Sequence, residues 1–190
     1  MSDTYIVVGA GAVTFLVVLG ANSVYNWLIA LGRRCEQAAA DVDVQLRQRN
    51  DLIPNLVATV KGYAAHEQGT FEAVARARKA AMTAQGGPDQ TAAEASLGSA
   101  LGRLFAVAEQ YPELKASSVF LQLQADLGDV ENKIAAARRF LNNVVAEYNT
   151  TRTQFPANII AAICRFLPRD PGIVSDENRG RIDTAPSVAF

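Results

Sequence analysis

The side chains able to do nucleophilic or metal chemistry are few, since the chain holds one histidine and two cysteines. His66 stands in Tyr63-Ala-Ala-His-Glu67. A zinc helix of the HExxH kind sets two imidazoles on one face and uses the Glu as base, and here the second His is missing. His66 therefore reads as a polar-face residue, and a three-ligand metal site has no source of ligands beyond carboxylates. Cys35 and Cys164 lack CxxC spacing. They read as unpaired thiols of a reducing compartment, or as small apolar filler. Glu131 and Arg138 read as a structural polar pair, across adjacent turns or with another helix. Gly9-Ala-Gly11 lies inside an apolar run, where a phosphate would have to sit in lipid, and it is not a strict GxxxG. No nucleophile is set beside a base, so neither catalysis nor a cofactor is expected. A net charge of −1 and scattered basic residues give nucleic acid no grip.

From Thr4 through Gly32 there is no Asp, Glu, Lys, Arg or His. Nine residues between Tyr5 and Ala21 are Leu, Ile, Val or Phe, Phe15 and Leu16 among them. Together they favour insertion by roughly 3 to 5 kcal/mol. Tyr5 and Tyr25 are about 30 Å apart along a helix, the thickness of a bilayer's hydrocarbon core. Tyr5 at one end, with Tyr25 and Trp27 at the other, suits the headgroup belts. A cleaved signal peptide would need a basic n-region, and the charged residue before the run is Asp3. Residues 1–32 are thus expected to be a retained transmembrane anchor. Arg33 and Arg34 follow it directly, placing the N-terminus outside and the remainder in the cytoplasm of a bacterial inner membrane.

The rest shows helical periodicity without a strand pattern. Leu28, Leu31, Cys35, Ala38, Val42 and Leu46 continue from the membrane at three- and four-residue steps. A break is expected at residues 50–54, with Asp51 as cap and Pro54 in the first turn of a second helix from about Leu52 to Ala84. That helix would turn Leu56, Val60, Tyr63, Phe71 and Val74 inward, weakened at Gly62 and Gly69. Gln85-Gly-Gly-Pro-Asp-Gln90 marks a turn. Thr91 and Glu94 read as a capping box for a third helix that Pro112 ends. A fourth helix, capped by Ser117 or Ser118, carries Phe120, Leu123, Leu127, Val130, Ile134, Ala137, Leu141, Val144, Tyr148 and Phe155 in coiled-coil spacing. The expectation is an all-α fold, the transmembrane helix continuing into an antiparallel up-down bundle of about four long helices over residues 33–155. The apolar seam of the fourth helix outruns the third, which points to a homo-oligomer, the anchor's own extension or lipid being the other partners available to it.

Residues 156–168 are apolar and bounded by prolines, too short to span. By parity the fourth helix ends near the membrane, so Phe155, Ile159, Ile160, Ile163 and Phe166 are expected at the lipid surface, with Arg165 and Arg169 reaching headgroups. The competing reading is a cap on the bundle. Residues 169–190 read as a tail.

Several runs resemble the LemA family of bacterial membrane proteins: Tyr25-Asn-Trp-Leu-Ile29, Ala40 to Arg49, and Asp51-Leu52-Ile53-Pro54-Asn55-Leu56. Further along, Glu131-Asn132 to Arg138, Tyr148-Asn149 and the closing Ala185 to Phe190 continue the likeness. Leu141 stands where the family usually has Tyr, and Ala157 where it usually has Gly. The resemblance implies a single span, an outward N-terminus and a cytoplasmic bundle. It implies no established reaction, and some relatives are associated with building intracellular membrane compartments. The leading expectation is a scaffold that self-associates and organises membrane or partner proteins. The alternative is an adaptor for a membrane protease or signalling protein.

Overall fold

The computed structural model describes residues 2–84 and 87–170, which are all-helical, with no strand among them. α1 (Ser2–Lys61) is one unbroken helix of 60 residues, about 90 Å at 1.5 Å per residue. α2 (Gln68–Thr83) runs back along its far end, and α3 (Gly87–Ala108) runs out again. The short α4 (Pro112–Lys115) turns the chain into α5 (Ser118–Thr153), and α6 (Ala157–Ile163) follows. α5 is antiparallel to α1, as ion pairs Arg49–Glu131 and Arg34–Glu147 record.

The 36 residues of α5 span about 54 Å and the 22 of α3 about 33 Å, so the two hairpin helices cover only part of the α1–α5 pair. The bundle therefore has two sections. In the distal one, Ile53, Leu56 and Val60 of α1 meet Phe71 and Val74 of α2, Leu97, Leu101 and Leu104 of α3, and Phe120 and Leu127 of α5. In the proximal one, Leu31, Cys35, Ala38, Val42 and Leu46 of α1 meet Val130, Ile134, Leu141, Val144 and Tyr148 of α5. Each large side chain fully buried here stabilises the fold by about 1.5–3 kcal/mol.

Several expectations are corrected. The helix does not break at residues 50–54: α1 carries Pro54 in its interior, Asp51 is an exposed mid-helix residue, and neither begins a helix. The break falls instead at residues 62–67, where Gly62 ends α1 and Ala64 is buried to anchor the turn, leaving Tyr63 exposed. Thr91 and Glu94 are no capping box, because α3 already begins at Gly87; the Thr91 hydroxyl donates back to the Gly87 carbonyl at 3.1 Å. The third helix ends at Ala108, and Pro112 opens α4. Ser117 does occupy the position before α5, without a side-chain capping bond. Of the partners expected for the surplus seam of α5, α1's own extension is the one that covers it within the chain, and Phe155 leaves the seam to face outward. Of the turn expected at 85–90, residues 85 and 86 lie outside the described residues, as does the tail from 171.

Candidate functional site

The apolar part of α1 has a mean hydropathy of 1.6 over an 18-residue window of which 6% is buried. A core helix of a soluble protein would be mostly covered. By length and composition this helix can cross a membrane. Tyr5, Phe15, Leu16, Tyr25 and Trp27 are all exposed on it.

Where that stretch ends, four pieces of chain converge: α1 from Val24 to Glu36, the last turns of α5, α6, and residues 164–169. α6 packs with its small side chains inward. Ala157 and Ala161 are buried against Leu28, with Val24, Ile160 and Phe166 half-buried around them. The large side chains Ile159 and Ile163 point away, and Phe155 before the helix and Leu167 after it are also exposed. Phe166 meets Tyr25 edge-on at 5.7 Å between ring centres. Of the residues expected at the lipid surface, Phe155, Ile159 and Ile163 thus face outward, while Ile160 and Phe166 join the contact with α1.

The segment after α6 is strapped to α5. Tyr148 Oη donates to the Leu167 carbonyl at 3.0 Å. The Asn149 side chain donates to the Arg169 carbonyl at 2.8 Å and accepts from the Arg169 amide at 2.9 Å, pairing with that backbone as a neighbouring strand would. The Arg169 guanidinium is turned inward. It stands 5.5 Å from the centre of the Tyr148 ring and donates through Nη2 to Glu36 at 3.1 Å. Gly32 makes room for it, since a Cβ there would sit 3.4 Å from Nη2. Arg33 donates to the other Glu36 oxygen at 2.9 Å. Burial alone would raise the Glu36 pKa, but the hydrogen bonds from Arg169 and Arg33 outweigh it and hold the carboxyl below its usual range. Burial would likewise lower Arg169, and its bond to Glu36 keeps it above the usual guanidinium value. Arg165, by contrast, is exposed, with a backbone φ of 57°. Beside these groups is a cleft of about 280 Å³, lined by Leu28, Ile29, Gly32, Arg33, Glu36, Tyr148, Phe166 and Arg169.

A second polar cluster lies deeper, where the distal and proximal sections join. Arg49 of α1 is buried and pairs with Glu94 of α3, also buried, and with Glu131 of α5 at 3.3 Å. Arg138 of α5 approaches Glu94 at 3.8 Å. Glu131 and Arg138 thus pair with other helices. Arg49 and Glu94 were the members missed, although each stands on an apolar stripe, Arg49 between Leu46 and Ile53 and Glu94 three before Leu97. A charge on a seam is the trace such a pair leaves in a sequence.

The Asp51–Leu56 run divides by face. Ile53 and Leu56 are buried and Leu52 is half-buried, while Asp51, Pro54 and Asn55 are exposed, as is Asn132 on α5. His66 is exposed in the turn after α1. Among the described residues no group of three or more His, Cys, Asp or Glu could hold a metal ion.

A membrane-length helix that runs without interruption into an antiparallel helical bundle defines the class of this protein. Residues 38–190 match the LemA family, and the chain belongs to it. It is similar to the magnetosome protein MamQ of Magnetospirillum gryphiswaldense, at 27% identity over 168 residues that cover 75% of this chain and 62% of that protein. Magnetosome proteins MamQ 1 and MamQ 2 of Paramagnetospirillum magneticum are also 27% identical, over 194 residues covering 83% of this chain and 71% of each relative. The chain therefore spans less than two thirds of the first of these relatives.

Proposed function

We propose that this chain is a non-catalytic, membrane-anchored scaffold that self-associates and organises the membrane or the proteins in it. The observation that carries the reading is the continuity of α1, one helix from the exposed apolar stretch to the far end of the bundle. A bundle fused to its anchor in this way stands off the bilayer as a rod, with no linker for it to swing on. Two features support it. α6 and its flanks turn Phe155, Ile159, Ile163 and Leu167 outward near the end of the apolar stretch, where they can make a second apolar contact with the same surface. Val44 of α1 and Phe140 of α5 are exposed on the α1–α5 pair, whose proximal core is built from those two helices, leaving flanks on which another copy can pack. Arg33 and Arg34 at the end of the apolar stretch support an orientation with the bundle on the cytoplasmic side of a bacterial inner membrane and the N-terminus outside, by the positive-inside rule. The names of the MamQ relatives, magnetosome proteins, agree with a role at a membrane.

The test is native mass spectrometry of the full chain extracted with its lipids, paired with imaging of vesicles carrying it. Oligomers and regular assemblies on the vesicles are expected. Monomers alone, with vesicles unchanged, would overturn the scaffold reading.

A further inference from the structure

We infer that the cleft between Arg33 and Arg169 binds the phosphodiester of an anionic phospholipid, whose acyl end lies along Leu28, Ile29 and Phe166. The inference rests on the reading of α1 as an anchor and adds a ligand to it. Position is the first ground. Leu28 lies about 5 Å and Arg33 about 12 Å beyond Tyr25 along α1, at 1.5 Å per residue. The cleft thus begins where the aromatic belt ends and reaches through the headgroup layer. Its lining changes character in the same direction, from Leu28 and Ile29 to Gly32, Arg33 and Glu36. A phospholipid at a bilayer edge has that same order of apolar and anionic parts.

Charge is the second ground. The ionised side chains of the lining are Arg33, Arg169 and Glu36, leaving one net positive charge beside the apolar wall. Arg33 engages Glu36 through Nη1 while its side chain is 64% exposed, so Nε and Nη2 are available to a phosphate. Arg169 Nη1 is buried and has no hydrogen-bond partner, a donor left unsatisfied at the wall of the cleft. Glu36 and the Tyr148 ring hold the Arg169 guanidinium in place, and Gly32 admits it against the helix backbone. Such a pre-set cation costs little ordering entropy when a ligand arrives. Basic clefts at the membrane surface are the sites where anionic headgroups dock. Arg34, the neighbouring arginine, is held away from the cleft by Glu147 at 3.4 Å and serves as the control.

The experiment uses the full chain and its single tryptophan, Trp27, the residue before Leu28 at the apolar end of the cleft. It is mixed with phosphatidylcholine vesicles containing a minor fraction of brominated lipid, either phosphatidylglycerol or phosphatidylcholine, and both flotation and Trp27 quenching are read. The protein should float with both kinds of vesicle. Brominated phosphatidylglycerol should quench Trp27 at least about twofold more strongly, as a lipid held beside it would. Arg33→Gln should bring the ratio close to one while flotation persists, and Arg34→Gln should leave it unchanged. Equal quenching by the two lipids in the floating wild-type protein would overturn the inference and leave the anchor standing. Equal loss in R33Q and R34Q would reduce the preference to general surface charge and overturn it too. Loss of the preference in millimolar inorganic phosphate at constant ionic strength would reassign the cleft to a free phosphate group. Failure to float with either vesicle would overturn the anchor reading and the inference with it.

Discussion

Arg78 Nε donates to the backbone carbonyl of Asn50 at 2.7 Å, the carbonyl that an amide at position 54 would bind in a regular α-helix. Pro54 has no N–H, so α1 leaves one acceptor open in its middle, and α2 supplies the donor from outside. A proline in a helix interior ordinarily costs about 3 kcal/mol or more. Here its ring is on the exposed face and its orphaned carbonyl is satisfied by a charged group.

This relationship predicts strong coupling between the two residues. Arg78→Met alone should destabilise the bundle by about 1.5–3 kcal/mol, the worth of a hydrogen bond from a charged donor. In a Pro54→Ala background, where residue 54 can donate instead, the same substitution should cost about 1 kcal/mol or less. Denaturant melts of the four variants give the coupling energy directly, and additivity would show that Arg78 does not replace the missing amide.

Much of this fold was legible in the sequence, and the errors gather where tertiary contacts outvote local rules. The apolar stretch, the stripes of α1 and α5 and the antiparallel order all follow from hydrophobic spacing, which reports burial directly. The break at Asp51–Pro54 was inferred from local chemistry that holds for an isolated helix. Arg78 lies 28 residues beyond Asn50, and nothing near Pro54 announces it. Glu94 misled in the same way, its spacing from Thr91 matching a capping box while its partner Arg49 stands on another helix. In the juncture at the membrane, Tyr148 and Asn149 were visible as a family run, but their bonds to Leu167 and Arg169 depend on how the chain doubles back after α6.

Arg49 and Glu94 are both buried, so the pair is a matter of balance more than of gain. Arg49→Met should cost about 3–5 kcal/mol, because the buried Glu94 then keeps only the longer, half-exposed contact to Arg138 at 3.8 Å. The double variant Arg49→Met with Glu94→Met should recover most of that loss, since apolar replacement of a buried pair is often neutral or stabilising. Thermal melts of the two single variants and the double one decide the matter. A double variant as unstable as R49M alone would show that the pair itself, and not the orphaned charge, holds the three helices together.

The two cysteines should differ sharply in reactivity. Cys35 is buried in the proximal core, its Sγ 3.7 Å from the Val144 carbonyl, and burial pushes its thiol pKa above the usual value. Both effects suppress the thiolate that reacts. Cys164 is exposed. In detergent at neutral pH a maleimide should label Cys164 within minutes and leave Cys35 unmodified until the bundle is denatured. Peptide mass spectrometry of the labelled chain reads both sites at once, and equal labelling of the native protein would mean that the α1–α5 interface opens.

The strap between α5 and the segment after α6 should weaken in acid, and Glu36 sets the direction. Its carboxylate accepts from Arg33 and Arg169, and these bonds hold its folded pKa below the ordinary 4.5. A depressed carboxyl contributes stability that is fully present above its unfolded pKa and is lost as the pH falls through the folded value. The wild-type protein should therefore exceed Glu36→Gln in stability near neutrality, and the gap should close as the pH drops from about 5 toward 3. Other carboxylates titrate in both proteins and largely cancel in the difference. Protonation also frees the Arg169 guanidinium from its partner, so the amide of Arg169, bonded to Asn149 at 2.9 Å, should lose hydrogen-exchange protection over the same interval. Melting curves of the two proteins across that range, with exchange at Arg169 corrected for the intrinsic pH dependence, measure both effects. A gap between wild type and E36Q that stays constant into acid would show that the Glu36 carboxylate is not what secures the strap.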